Sequence, residues 1–394
     1  MTADPGPPRS LYLHVPFCSR RCPYCDFAIH VGGDHLQERY TQAVLTEIGR
    51  LPSGSGLDTI YFGGGTPSRL QPRLLGRLLE SIRSQFAVAP GAEVTIEANP
   101  EDMTESLARA WVQLGVNRLS LGVQGLDDGT LAWLGRGHDA ARAESAIEAA
   151  QRAGFDNLSC DLIYAVPGQD TRVLERGVRR LLAHEPAHVS CYELTVEAGT
   201  PLQRQIRSGR RRGPEVEEFL EQRRLLGALL GEAGLEMYEV SNYARPGQQS
   251  RHNLAYWNGS AYLAVGPGAH GFLAAREGSA LGLEPRGAAL RYWHLRDTAT
   301  YLRAVEAGGN GWRAHEWLGE SDLELERLAC GLRLSRGAKL HSRAALDKAR
   351  ELAGMGLLVV GQQTVRATPR GFEVLDRITL ELAAAGASSG GGQP

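Results

Sequence analysis

Cys18, Cys22 and Cys25 stand in the run H14-V-P-F-C-S-R-R-C-P-Y-C-D-F27. Their C-x3-C-x2-C spacing offers three thiolates from a single loop. A [4Fe–4S] cluster is normally held by four cysteines, so three leave one iron with an open coordination position. A small molecule bound there can accept an electron. The same thiols together with His14 or His30 would also suit a structural zinc ion of the Cys3His type. Spacing alone leaves both readings open.

Further unusual residues recur at the ends of short apolar runs. G63-G-G-T-P67 closes one run, and Gly63, Gly64 and Gly65 would let the backbone approach a ligand closely. It is not a phosphate loop, because no G-x-x-x-x-G-K-[ST] pattern is present. Glu97 and Gln124 end the next two runs, and Asp161 and Glu193 lie in the two after those. A cationic or hydroxyl-bearing ligand would suit the carboxylates. In parallel α/β folds, sites form at the carboxyl ends of the strands, so these residues would share one rim.

Positioning them requires regular elements. Apolar runs at 11–15, 58–62, 93–97, 118–124, 157–164 and 188–194 alternate with helical patterns beginning near His35, Pro72, Thr104, Ala140 and Thr171. Six β/α repeats predict a parallel sheet with right-handed crossovers, best built as a partial (β/α)6 barrel. A long helix is predicted over 213–233. Residues 274–290 read as a linker. Beyond them, helical patterns at 323–334 and 343–352, a hairpin about Gly361 and Gln362, and a last helix from Pro369 predict a smaller winged-helix-like α+β module at 291–380. The barrel and its extension would cover 11–273, with disordered tails at 1–10 and 381–394.

Composition narrows the function classes. The chain has 394 residues, is 42% hydrophobic and carries a net charge of −2. That balance gives no sign of nucleic-acid affinity. Lys339 and Lys348 are the only lysines, which excludes lysine-based catalysis in the barrel. The start lacks a secretory leader pattern, and no stretch is long and apolar enough to span a membrane. Six cysteines in that setting point to a reducing, cytoplasmic compartment, with Cys160, Cys191 and Cys330 as buried small side chains.

The cysteine motif, with Tyr24 just before its third thiol, and the Gly63-Gly-Gly-Thr66 turn resemble the radical S-adenosylmethionine (SAM) superfamily over roughly residues 11–195. Y12-L-H-V-P-F-C18 and D161-L-I-Y-A-V-P-G168 resemble its oxygen-independent coproporphyrinogen III oxidase group, as does the C-terminal module. The resemblance implies a [4Fe–4S] cluster on Cys18, Cys22 and Cys25. It implies SAM contacts at Tyr12, Tyr24, Gly64, Gly65, Thr66, Glu97, Gln124, Arg136 and Asp161.

Within that group the oxidases carry a fourth cysteine two places after the third, where this chain has Phe27. They also carry an N-terminal extension that this sequence lacks. C-P-Y-C-D-F and R251-H-N-L-A-Y-W257 are instead similar to the haem-chaperone branch, HemW. That branch implies haem as a cofactor, with His252 as its ligand and His270 as a lesser candidate. Imidazole is a common axial ligand and aromatics pack on the macrocycle. It further implies delivery of haem to a respiratory-chain acceptor protein and peripheral contact with the inner face of the cell membrane. The other reading is the oxidase itself, a radical SAM oxidative decarboxylation in porphyrin biosynthesis. Phe27 weighs against that activity.

Overall fold

The computed structural model describes residues 5–52 and 56–387. Six parallel strands carry the architecture: β1 (Ser10–Val15), β2 (Gly56–Gly64), β3 (Ala87–Ala98), β4 (Arg118–Gln124), β5 (Leu158–Tyr164) and β6 (His188–Glu193). They lie side by side in chain order, each paired in parallel with the next. The helices that return the chain are α1 (Gln37–Ile48), α2 (Pro72–Gln85), α3 (Glu105–Gln113), α4 (Asp128–Leu134), α5 (Ala140–Arg152) and α6 (Thr171–Leu182). Their starts are set by local chemistry. Pro72 opens α2 at a position where its missing N–H costs nothing. Thr104, Asp139 and Asp170 each accept a hydrogen bond from a first-turn N–H.

Three short strands extend this sheet. Leu263–Val265 pairs in parallel with the free edge of β1, and Asn242–Ala244 runs antiparallel to β6, followed by Glu236–Met237. The strand at 263–265 is too short, and too close to glycine and proline, to announce itself by periodicity. The main core is the outer face of the sheet against the helices, with Leu13, Phe62, Ile96, Leu121 and Trp111 fully buried. The inner face is polar, and the site forms there.

Several boundaries differ from the sequence reading. Residues 274–290, expected as a linker, join two paired strands: His270–Ala274 and Ala289–His294 are antiparallel neighbours in one sheet with Trp312–Leu318. The residues from Glu320 onward build a second small core, from helices Glu320–Arg333, Arg343–Gly354 and Leu375–Ala387 and three short strands, with Met237 and Val240 packed against it. The expected C-terminal tail is helical as far as 387, and 388–394 lie outside the described residues. At the other end, residues 1–4 lie outside the described residues. Pro5 already accepts a hydrogen bond from the Ala261 N–H, and Arg9 pairs with Asp58. Among the described residues no helix is long and apolar enough to cross a membrane.

One buried carboxylate ties the barrel to the added sheet. Glu47 on α1 accepts hydrogen bonds from the Gly266 and Gly311 N–H groups and the Tyr301 hydroxyl, and lies 3.1 Å from His294 Nε2. Burial pushes its pKa up, but His294, Tyr301 and the Gly266 amide outweigh it, leaving the carboxyl below its ordinary value. Such a group adds stability above the unfolded pKa and loses it as the pH falls through the folded one. Glu47→Ala strips a buried imidazole and two amides of their partner and is expected to cost about 3–5 kcal/mol. Urea denaturation of the two proteins measures it.

Candidate functional site

The loop after β1 is fixed by its backbone before any thiol acts. Phe17–Cys18 pairs in parallel with His30–Val31, the Gly32 N–H donates to the Cys18 carbonyl at 2.8 Å, and the Cys25 N–H donates to the Cys22 carbonyl. Pro23 packs against Gly135, and its carbonyl accepts from the Leu202 N–H. The loop therefore roofs the carboxyl end of the barrel. Beneath it lies a cavity of about 410 Å³, walled by all three cysteines and by residues from β2 to β6.

Tyr24, Gly64, Gly65, Thr66, Glu97, Gln124, Arg136 and Asp161 all line that cavity. Gly64 has φ +114°, and a Cβ there would meet the His14 ring at 2.6 Å; one at Gly65 would meet the Pro16 carbonyl oxygen at 2.6 Å. Both glycines are thus required by close approach of β1 and its loop. Thr66 Oγ1 is 3.3 Å from Cys18 Sγ and accepts a hydrogen bond from Asn99 Nδ2. Arg136 donates to Asn99 Oδ1 at 2.6 Å and to the Gly122 carbonyl. It also reaches Tyr24 Oη at 3.5 Å and Cys22 Sγ at 3.7 Å.

Two carboxylates face the cavity from below. Glu97 accepts from the Tyr61 hydroxyl at 2.8 Å and from the Gly64 N–H at 3.1 Å. Burial, with the nearby Asp161 charge, pushes its pKa up to about 7 despite the Tyr61 hydrogen bond. Asp161 accepts from Ser120 at 3.1 Å, and burial raises its pKa too. Burial likewise pushes the Cys18 thiol up to about 11. Metal binding must displace that proton.

Two residues expected at the site lie elsewhere. Tyr12 is behind the wall: its hydroxyl is 3.1 Å from His14 Nδ1, and its ring stacks on Tyr61. His252, expected to ligate haem iron, is 1% exposed and has no free ring nitrogen. Its Nδ1 is 2.7 Å from Thr59 Oγ1, its Nε2 is 2.8 Å from Tyr256 Oη, and it stacks on Tyr61. An iron ligand needs a free lone pair and space for the macrocycle, and in this structure His252 has neither. Burial holds it neutral, with its pKa lowered to about 3.

The sequence reading also overlooked contributors. Asn99 bridges Thr66 to Arg136, and Tyr61 holds Glu97. Arg118 lines the cavity and is 1% exposed, and its side chain has no hydrogen bond or ion pair to any described residue. The signal was available: 118, 120, 122 and 124 share one face of β4, so Arg118 faces the same way as Gln124.

A buried polar atom without a partner costs about 1–3 kcal/mol, so such atoms point to a missing ligand. Gln124 Oε1, Arg136 Nε and Arg118 Nε are of this kind, and all three residues line the cavity. With the two carboxylates they fit a ligand that is cationic at one end and anionic at another, as SAM is. Cys18, Cys22 and Cys25 all wall the cavity from one loop, the donor set that a cluster with one open iron would take; among the described residues no three Cys, His, Asp or Glu side chains gather as a single-ion site. His14, a candidate for the zinc alternative, has both ring nitrogens engaged, by Tyr12 and by the Ala28 carbonyl.

Comparison with known proteins agrees. The family model for the radical SAM superfamily matches residues 12–181. The heme chaperone HemW of Mycobacterium tuberculosis is 35% identical over 387 residues, covering 96% of this chain and 95% of its own. The HemW of Lactococcus lactis is 32% identical, covering 93% and 95%. The mitochondrial radical S-adenosyl methionine domain-containing protein 1 of Bos taurus is 35% identical, covering 96% and 88%. Among solved structures, coproporphyrinogen III oxidase (HemN) from Escherichia coli superposes with a TM-score of 0.81 at 22% identity, covering 96% of this chain and 91% of its own. That likeness is one of fold.

Proposed function

Because this chain belongs to the HemW branch of the radical SAM superfamily, we propose that it is a haem chaperone. It binds haem, carries a SAM-ligated [4Fe–4S] cluster, and passes haem to a respiratory-chain acceptor protein from the inner face of the cell membrane, which it touches peripherally. The observation that carries this reading is the full-length similarity to relatives named heme chaperones. Phe27 supports it, since an exposed phenyl ring stands where the oxidases have a fourth thiol.

Cys18, Cys22 and Cys25 would hold the cluster, and Glu97, Asp161, Gln124 and Arg136 would hold SAM. Such a pair supplies one-electron chemistry when bound. The chain's own part is positional. Gly64 and Gly65 let the turn after β2 close against β1 and its loop, Arg136 presents its guanidinium between Cys22 and Asn99, and Tyr61 orients Glu97.

The test uses one anaerobically reconstituted sample in two assays. Haem titration is expected to give saturable binding of about one haem per chain with a distinct Soret band. Incubation with coproporphyrinogen III, SAM and a reductant is expected to give no decarboxylated product. Turnover in the second assay without binding in the first would replace the chaperone reading with the oxidase one.

A further inference from the structure

The cavity of about 410 Å³ beneath the cysteines suits one ligand of SAM's size and leaves no room for a macrocycle beside it. If the chain binds haem, as proposed above, the haem needs another surface. His252 is sealed in the barrel.

His270 differs in every respect. It opens the strand His270–Ala274, is exposed, and its ring has no hydrogen-bond partner among the described residues. It sits opposite Trp293 in the ladder, with the two rings 6.1 Å apart and inclined by 17°. Partial burial, with Arg296 and His294 nearby, lowers its pKa, so at neutral pH the ring keeps the lone pair a metal needs.

This strand end abuts the segment that follows Cys25. Gly268 packs on Ala28, with no space for a Cβ between them, and donates its N–H to the Leu295 carbonyl. The Arg296 guanidinium donates to the Asp26 carbonyl. Residues 26–28, 268–270 and 293–296 therefore meet beside the cluster loop, with Phe27 also on the rim of the cavity. There Phe27 is 58% exposed, Trp293 is half-buried and Arg296 is exposed. Water-facing aromatics grouped with a free imidazole and a guanidinium match the parts of haem: macrocycle, iron and propionates.

We propose that this face is the haem seat, with His270 an axial ligand, Phe27 and Trp293 against the macrocycle, and Arg296 toward a propionate. Haem then lies outside the barrel, next to the cluster loop.

The experiment is haem titration of the reconstituted full chain, followed by Soret position and by electron paramagnetic resonance of the ferric form. His270→Ala is expected to lose the wild-type Soret and spin signature and to bind roughly tenfold or more weakly. Added imidazole is expected to restore the signature. Phe27→Ala is expected to weaken binding severalfold with the signature intact, and His252→Gln to keep it. The SAM-cluster absorbance reports that each variant is folded. Wild-type spectra in His270→Ala, or loss of the signature in folded His252→Gln, overturns the proposal and leaves haem binding standing. Failure of the wild type to bind haem overturns the chaperone reading itself.

Discussion

Alanine at Cys18, Cys22 or Cys25 is expected to abolish the iron–sulfur chromophore, taking iron from about four per chain to below about one after anaerobic reconstitution. The effect should be close to complete for each thiol, because three ligands leave no redundancy. It should also be local. The loop is held by the Gly32-to-Cys18 and Cys25-to-Cys22 backbone bonds and by pairing with His30–Val31, none of which involves sulfur. Cys18 is the most buried of the three, its thiol lying beside Thr66 on the cavity wall. Cys160→Ala and Cys191→Ala serve as controls, since both thiols are buried in the main core. Retention of iron and visible absorbance in all three loop variants would rule out the cluster assignment.

SAM affinity is expected to fall as the pH drops below about 7, by up to about tenfold per pH unit. The cause is Glu97, whose pKa burial raises to about 7. A cationic ligand favours the carboxylate over the acid, so binding must expel the proton that the empty site takes up. Without ligand the sign reverses. The folded chain holds this proton more tightly than the unfolded chain, so Glu97 takes stability away as the pH rises from the ordinary glutamate range through about 7. Glu97→Gln should flatten the pH dependence and weaken binding about 10- to 100-fold at the alkaline end, the cost of one charge-assisted hydrogen bond. Equilibrium dialysis between pH 5.5 and 7.5 measures it, with the ligand's own amino group titrating only toward the upper end and equally for both proteins. A slope unchanged in Glu97→Gln would assign the proton to another group.

Much of the barrel was legible because each strand is a compact apolar run and each helix starts at a recognisable cap or proline. The rim was legible for the same reason: Gly64, Glu97 and Gln124 sit where strands end. What escaped the sequence depends on contacts between distant segments. The antiparallel sheet spanning residues 270–318 consists of strands whose faces are covered unevenly, so no clean alternation marks them. The glycines of 274–290 then looked like a linker. His252 stood out by residue type, while its partners, Thr59 and Tyr256, are assigned only by folding. Arg118 was hidden by its place at the start of a run, where charge suggests solvent and register says otherwise.

The wall behind the cysteine loop comes from the far end of the chain. Gly268 rests on Ala28, Gly266 and His294 meet Glu47, and Arg296 reaches the Asp26 carbonyl. A ribosome adding about 5–20 residues per second needs roughly 10–50 s to pass from the cysteines to residue 296. During that interval the three thiols are outside the exit tunnel without their backing. The loop's own backbone bonds can form early, but the wall that closes against it can form only once the chain has been made as far as residue 296.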